Sequence, residues 1–355
     1  MLPRYITWLA LLLSASTTIA QTSTSCNPTE KTCPDDTGLA SSTYTHDFTT
    51  SGADSDAWNT TAGNVTSTSS GLEFTITKSG DAPTIQSKWY IFFGRVSFFL
   101  RAAPGTGIVS SAILESDDLD ELDWEWLGGS DYVSKVQTNY FGKGNTTSYD
   151  RAAWAAASDT QTTTHNYTIV WTSASTTWYV DEVAIRTLNY ADAVSGKNYP
   201  QTPMNIRIGI WAGGDSANDE GTIEWAGGAT DYANGPFTMY LEKVEVVNDN
   251  PGASYAYGDL TGDYSSIKVN DADATNSSSS SLLSSSSGST GSGSESESST
   301  ATVASSASAT KTGMWWTASA SAAVAQAATS PALRLGVGTW QYGVICVSMV
   351  LVAVW

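Results

Sequence analysis

The chain is 355 residues long, with 16 Lys and Arg against 35 Asp and Glu, a formal net charge of -19, and only 14% charged residues. So acidic a balance excludes nucleic acid as a partner, because phosphates need a basic surface. Fourteen tryptophans and sixteen tyrosines in so lightly charged a chain suit either a carbohydrate-handling surface or a dense aromatic core.

The opening "MLPRYITWLALLLSASTTIA" carries one early Arg4, an apolar run through Leu13 and small residues ending at Ala20. That is the build of a secretory signal peptide over 1–20, cleaved after Ala20. Cys26 and Cys33, close in sequence and in an oxidising compartment, read as one disulfide. His46 and His165 are the two histidines, too few for a four-ligand metal cluster, so no metal and no other cofactor is expected. The sequons at Asn59, Asn64, Asn145, Asn166 and Asn276 fit a secreted glycoprotein.

From about Tyr44 to Ile267 the composition is varied, aromatic and β-branched. Short β-rich runs follow one another: "YIFFGRVSFFL" (Tyr90 to Leu100), "GIVSSAILES", "DELDWEWL", "KVQTNYF", "NYTIVWT", "TWYVDEVAIRTL", "MNIRIGIW" and "FTMYLEKVEVV". Turn residues separate most of them, and no helical periodicity of useful length appears, which predicts an all-β sandwich or jelly roll. "TWYVDEVAIRTL" predicts a hairpin turning at Asp181-Glu182. In the last run Phe237, Met239 and Leu241 share one phase and Val244 and Val246 the other, which predicts a bulge.

The run "DELDWEWLGG", Asp120 to Gly129, interleaves acids with indoles. Strand residues alternate between faces, so Glu121, Asp123 and Glu125 share one side while Leu122, Trp124 and Trp126 fill the other. Acids roughly 7 Å apart at Cα along a strand raise one another's pKa. Two readings fit: a solvated polar face on an edge strand, or a retaining glycosidase site. The second needs an ionised nucleophile and a protonated acid about 5–5.5 Å apart, so the face must be concave and the side chains must lean inward. In "MNIRIGIWAGG" Asn205, Arg207, Gly209 and Trp211 share a face opposite Met204, Ile206, Ile208 and Ile210. An indole to stack a pyranose, a guanidinium to donate to hydroxyls and a glycine that leaves room make a plausible sugar-binding floor. "GTIEWAGG" places Thr222 and Glu224 on one face and Trp225 on the other if it is extended, and "KVQTNYF" offers Gln137 and Asn139 together.

From Asn276 to Thr310 the chain becomes Ser-rich and cannot bury enough apolar area to fold, which predicts a stalk over 269–328. Small residues, a spacer and the terminal apolar run from Tyr342 to Trp355, with Cys346 inside it, have the form of a GPI-anchor signal over 329–355 that is removed on transfer to lipid. The folded part is expected over 21–268, as one domain. The product would be exported and tethered outside the cell, at the plasma membrane or in the wall.

The blocks "DELDWEWLGG", "VQTNYFGKGNTTSYDRA", "YPQTPMNIRIGIWAGGD" and "GTIEWAGGATDYANGPFTMYLEKVEV" together resemble the fungal Crh-type cell-wall transglycosylases of glycoside hydrolase family 16. The "CNPTEKTC" pair, the stalk and the anchor signal are similar to that family too. The resemblance implies a concanavalin-like β-jelly roll with a concave carbohydrate-binding cleft. It also implies a retaining double displacement, with Glu121 as nucleophile, Asp123 as its helper and Glu125 as acid/base. Chitin would be the donor and β-1,3- or β-1,6-glucan the acceptor, with hydrolysis as a side activity and the enzyme acting as a monomer. The family's chitin-contacting positions fall on Glu125, Arg207, Trp211 and Thr222, with Gln137 and Asn139 added from the strand pattern. A non-catalytic carbohydrate-binding jelly roll and a β-glucanase are the alternatives. The intact acidic trio weighs against the first, since a binder has no use for crowded like charges.

Overall fold

The computed structural model describes residues 24–148 and 150–271, so the expected signal peptide, the anchor signal, Asn276 and the expected stalk beyond residue 271 lie outside the described residues, while 269 and 270, expected in the stalk, belong to the last strand. The chain opens with strands β1 (Asp36–Thr37), β2 (Thr43–Asp47), β3 (Trp58–Ala62), β4 (Val65–Thr68), β5 (Gly71–Ile76) and β6 (Thr84–Ser87). Next come β7 (Gly94–Arg101), β8 (Ile108–Ser116), β9 (Glu121–Leu127), β10 (Lys135–Phe141), β11 (Ala153–Ala156) and β12 (His165–Trp171). The last are β13 (Ser175–Val180), β14 (Val183–Asn189), β15 (Met204–Ala212), β16 (Phe237–Asn248), β17 (Ser254–Tyr257) and β18 (Ile267–Asn270), with one six-residue helix, α1 (Glu220–Trp225), between β15 and β16.

Two large sheets result. One has seven strands in the order β11-β10-β9-β8-β15-β6-β3; the other has eight, β14-β13-β12-β7-β16-β5-β4 with β2 beside β16. Their facing sides form one apolar core. Trp124 and Trp126 from β9 meet the Tyr167 ring from β12 edge-on, at centroid distances of 5.4 and 4.6 Å. Ile206, Ile208 and Ile210 from β15 pack into the same core as Phe98, Leu100, Met239 and Leu241. The all-β sandwich expected from the strand pattern is what forms.

Several local expectations hold, and two differ. Asp181 and Glu182 turn the β13–β14 hairpin with φ of 49 and 66°, the left-handed pair that matches the twist of two joined strands. The register of β16 against β7 slips between Leu241 and Lys243, and this bulge lets both phases of the strand, Leu241 and Val244, reach the core. The run from Tyr90 does not form one strand. Phe93 and Gly94 have φ of 60 and 130°, and β7 starts only at Gly94, where a Cβ would meet the Val247 carbonyl oxygen at 2.0 Å. "GTIEW" is not extended but forms α1, so Thr222 and Glu224 do not share a strand face. Its Asp219-Glu220 start favours a helix N-terminus, and Gly227 and Gly228, both at positive φ, follow its end. Cys26 and Cys33 form the expected disulfide, with Cα atoms 5.8 Å apart.

Removing Trp124, fully buried between the sheets, takes out a large part of that interface. Trp124→Ala should lower unfolding free energy by about 3–5 kcal/mol. Val183→Ala, at a site 64% exposed, should change it by less than about 0.5 kcal/mol. Urea titrations of both variants check the contrast.

Candidate active site

The face of the seven-stranded sheet that points away from the intersheet core is assembled by register. Glu121 lies opposite Glu115 on β8 and Phe141 on β10, Asp123 opposite Ile113 and Asn139, and Glu125 opposite Ser111 and Gln137. Beyond β8, Asn205 pairs with Glu115, Arg207 with Ile113 and Trp211 with Val109. Strand alternation therefore brings Glu121, Asp123, Glu125, Gln137, Asn139, Arg207 and Trp211 onto one face, as the sequence pattern predicts. Thr222 lies outside the sheet, buried on α1, whose Trp225 Nε1 donates to Gln137 Oε1 at 3.3 Å.

This face is polar but not solvated. Glu121, Asp123 and Glu125 are 2, 0 and 1% exposed, and all seven β9 residues are buried. The edge-strand reading of the acidic run is thereby removed, since β9 has a neighbour on each side and a covered face. Burial without a compensating cation decides the electrostatics. The Asp123 carboxyl is pushed well above the usual carboxylate range by burial, then by the charge of Glu121 and a hydrogen bond to it. Among the described residues no donor bonds to either Asp123 oxygen, so nothing there offsets the cost of burying a charge on it. Glu125 is also pushed well up, by burial first and the Glu121 charge second. Two of the three carboxyls are thus biased toward the protonated form.

The sheet also supplies a carboxylate that was not singled out from sequence. Glu115 is fully buried beside Glu121, ion-paired to Arg207, and pushed up to about 8 by burial against the opposing pull of that guanidinium. Arg207 is held further by Asn205, whose Oδ1 accepts from its Nε at 3.1 Å. The four-residue β8–β9 connection makes this neighbour readable in principle: counting back from the turn pairs Glu115 with Glu121. The connection itself is pinned by buried Asp120, which accepts from the backbone N–H groups of Gln201 (2.7 Å) and Lys143 (2.9 Å). Trp211 is only 3% exposed and stacks on Trp225, with centroids 6.1 Å apart and planes at 22°.

Several donors on this face find no partner among the described residues: Gln137 Nε2, Asn139 Nδ2, Asn205 Nδ2 and Trp211 Nε1. Buried polar groups are normally satisfied, so a row of unsatisfied ones beside an acid pair is what a hydroxyl-rich ligand would complete. Among the described residues no group of His, Cys, Asp and Glu could hold a metal ion. The expected glycosylation residues divide. Asn59 and Asn64 are exposed, whereas the Asn145 and Asn166 amides donate to Asn198 and Glu182.

Several known proteins resemble this chain. Residues 53–227 match the model of glycosyl hydrolases family 16. Crh-like protein 1 of Aspergillus fumigatus is 56% identical over 264 residues, covering 74% of this chain and 71% of that protein. Crh-like protein 2 of Botryotinia fuckeliana is 53% identical over 274 residues, 75% of this chain and 60% of that protein. A solved apo Crh5 transglycosylase is 55% identical with a TM-score of 0.67, covering 69% of this chain and 100% of that one. The same protein has been solved in complex with NAG, with the same identity and TM-score.

The raised carboxyls carry a stability consequence away from the trio. Asp36 is pushed up to about 8 by burial and by the charges of Asp117, Asp118 and Asp35. Its folded pKa lies above the unfolded value near 3.9. Stability is therefore complete below about pH 4 and falls as pH rises toward 8, by up to roughly 1.4 kcal/mol per pH unit for each such group. Carboxyls held low, such as Asp81 at about 2, act only below that window. The thermal midpoint should fall between pH 5 and 8, and Asp36→Asn should flatten the slope. An equal slope in the variant would refute the assignment.

Proposed function

The chain belongs to glycosyl hydrolases family 16, in its Crh-like group, and we propose that it is a retaining transglycosylase that cuts chitin, releases one part and joins the enzyme-bound rest to β-glucan. The observation that carries this reading is the buried Glu121/Asp123/Glu125 row on one strand, where burial pushes Asp123 and Glu125 toward their protonated forms. In the first step the Glu121 carboxylate attacks the anomeric carbon. Glu125 gives its proton to the glycosidic oxygen, and the downstream part of the polymer leaves. In the second step an acceptor hydroxyl returns a proton to Glu125 and displaces Glu121 from the sugar. Asp123 donates to the Glu121 oxygen that is not attacking and orients it, giving up that bond's strength where charge leaves Glu121.

Arg207, Asn205 and the unpaired Trp211 Nε1 would hold hydroxyls and an acetamido carbonyl of the donor, while the amides of Gln137 and Asn139, on β10 at the other side of β9, would bond hydroxyls of the sugar lying there. Support for an N-acetylated sugar comes from the relative solved with NAG and from the amide and guanidinium chemistry of this flank. Export, a lipid tether and a wall location follow from the signal, stalk and anchor patterns in the sequence. Asn59 and Asn64 are the best-placed glycan acceptors, since their side chains are exposed. Water competes with the acceptor for the glycosyl-enzyme, so a transferase succeeds by holding the acceptor hydroxyl in place.

The test uses a chitin oligosaccharide and a fluorescent β-1,3-glucan acceptor. Labelled hybrid product is expected. Shortened chitin alone would mark a hydrolase, and unchanged substrates a binder. Glu121→Gln and Glu125→Gln should each cut product formation by at least about 100-fold; near-normal rates in either variant would contradict the roles assigned.

A further inference from the structure

The proposed reaction needs an acceptor site, and the sheet has a feature that the donor flank does not use. Trp154 on edge strand β11 is 41% exposed, an unusual state for a tryptophan in this molecule. It pairs with Gln137, which pairs with Glu125, so its side chain stands on the same face as the acids, two strands away. Two strand spacings put its Cα roughly 10 Å from that of Glu125. The indole is not loose. Tyr132 packs against it with centroids 5.4 Å apart and planes at 34°. Lys135 Nζ sits over both rings, 4.5 Å from the Tyr132 centroid and 5.2 Å from that of Trp154. Tyr132 in turn packs on the cluster containing Trp211 and Trp225. An aromatic tract therefore crosses the sheet from β15 through α1 to β11, perpendicular to the strands, and opens to solvent at its β11 end.

We propose that Trp154, backed by Tyr132 and Lys135, is a stacking platform for a β-glucan acceptor, on the side of the catalytic strand away from Arg207. The proposal rests on the transglycosylase reading and extends it. The two flanks differ in chemistry. The Arg207 side offers the amide of Asn205 and a guanidinium, groups that recognise an acetamido substituent. The Trp154 side offers flat apolar rings, which meet the C–H face of any β-linked pyranose and are indifferent to the group at C2. Lys135 adds a donor that a hydroxyl can reach. A glucan has hydroxyls only, so it fits the second flank, and a polymer lying across the strands would present its terminal hydroxyl toward Glu125.

The experiment compares the wild-type chain, Trp154→Ala and Trp154→Tyr with a chitin oligosaccharide donor and fluorescent β-1,3-glucan acceptors. It measures donor KM, acceptor KM and the ratio of hybrid to hydrolysed product. Trp154→Ala should raise acceptor KM roughly tenfold and shift product toward hydrolysis, with an effect on donor KM at least fivefold smaller. Trp154→Tyr should restore most of the acceptor affinity, which separates stacking from a folding defect. An unchanged acceptor KM and product ratio, or a rise confined to donor KM, would overturn the platform while leaving the transglycosylase reading standing. Absence of hybrid product from the wild type would overturn both.

Discussion

Strand alternation on β9 is the constraint on which the rest depends. Seven consecutive residues are all buried, yet the two faces bury opposite chemistry: Leu122, Trp124 and Trp126 in the intersheet core, Glu121, Asp123 and Glu125 on the cleft side. The core side fixes the backbone, and with it the direction of each carboxylate. Trp178, from the opposing sheet, donates its Nε1–H to the Asp123 carbonyl at 3.2 Å, so the peptide that presents the central acid is held across the sandwich. A shift of one residue would exchange acids for indoles, which neither side could accept.

Burial then does the chemistry that sequence spacing alone leaves open. Three carboxyls in water would all ionise at neutral pH. Stripped of water and set close together, Asp123 and Glu125 are both pushed toward the protonated form, the bias that the proposed acid/base chemistry needs. Glu115 with Arg207 repeats the theme one strand away, as a buried acid whose charge state is coupled to a cation facing the same cleft. Such an arrangement has a stability cost toward high pH.

Much of this was legible in the sequence because alternation is a local property. Period-two patterning placed the β9 and β15 faces, the Asp181-Glu182 turn and the phase change in β16. What depended on long-range register was not legible. Glu115 becomes a neighbour of Glu121 only through the pairing of β8 with β9, and Trp154 reaches the acid face only through two successive pairings. The helix at "GTIEW" was missed because six residues carry too little periodicity to distinguish a helical turn from a strand. The dryness of the acid face was missed for a different reason: alternation assigns a side, and only tertiary packing decides whether water reaches it.

The central claim is that Glu121 becomes covalently bonded to the donor sugar while Glu125 handles the proton. The most direct measurement is mass spectrometry of the Glu125→Gln protein digested after incubation with a chito-oligosaccharide donor bearing a good leaving group, which removes the need for acid assistance in the first step and slows the second. The account predicts a stable sugar adduct on the peptide spanning β9, localised to Glu121. An adduct on Asp123 or Glu115, or turnover with inversion at the anomeric carbon and no adduct, would contradict it.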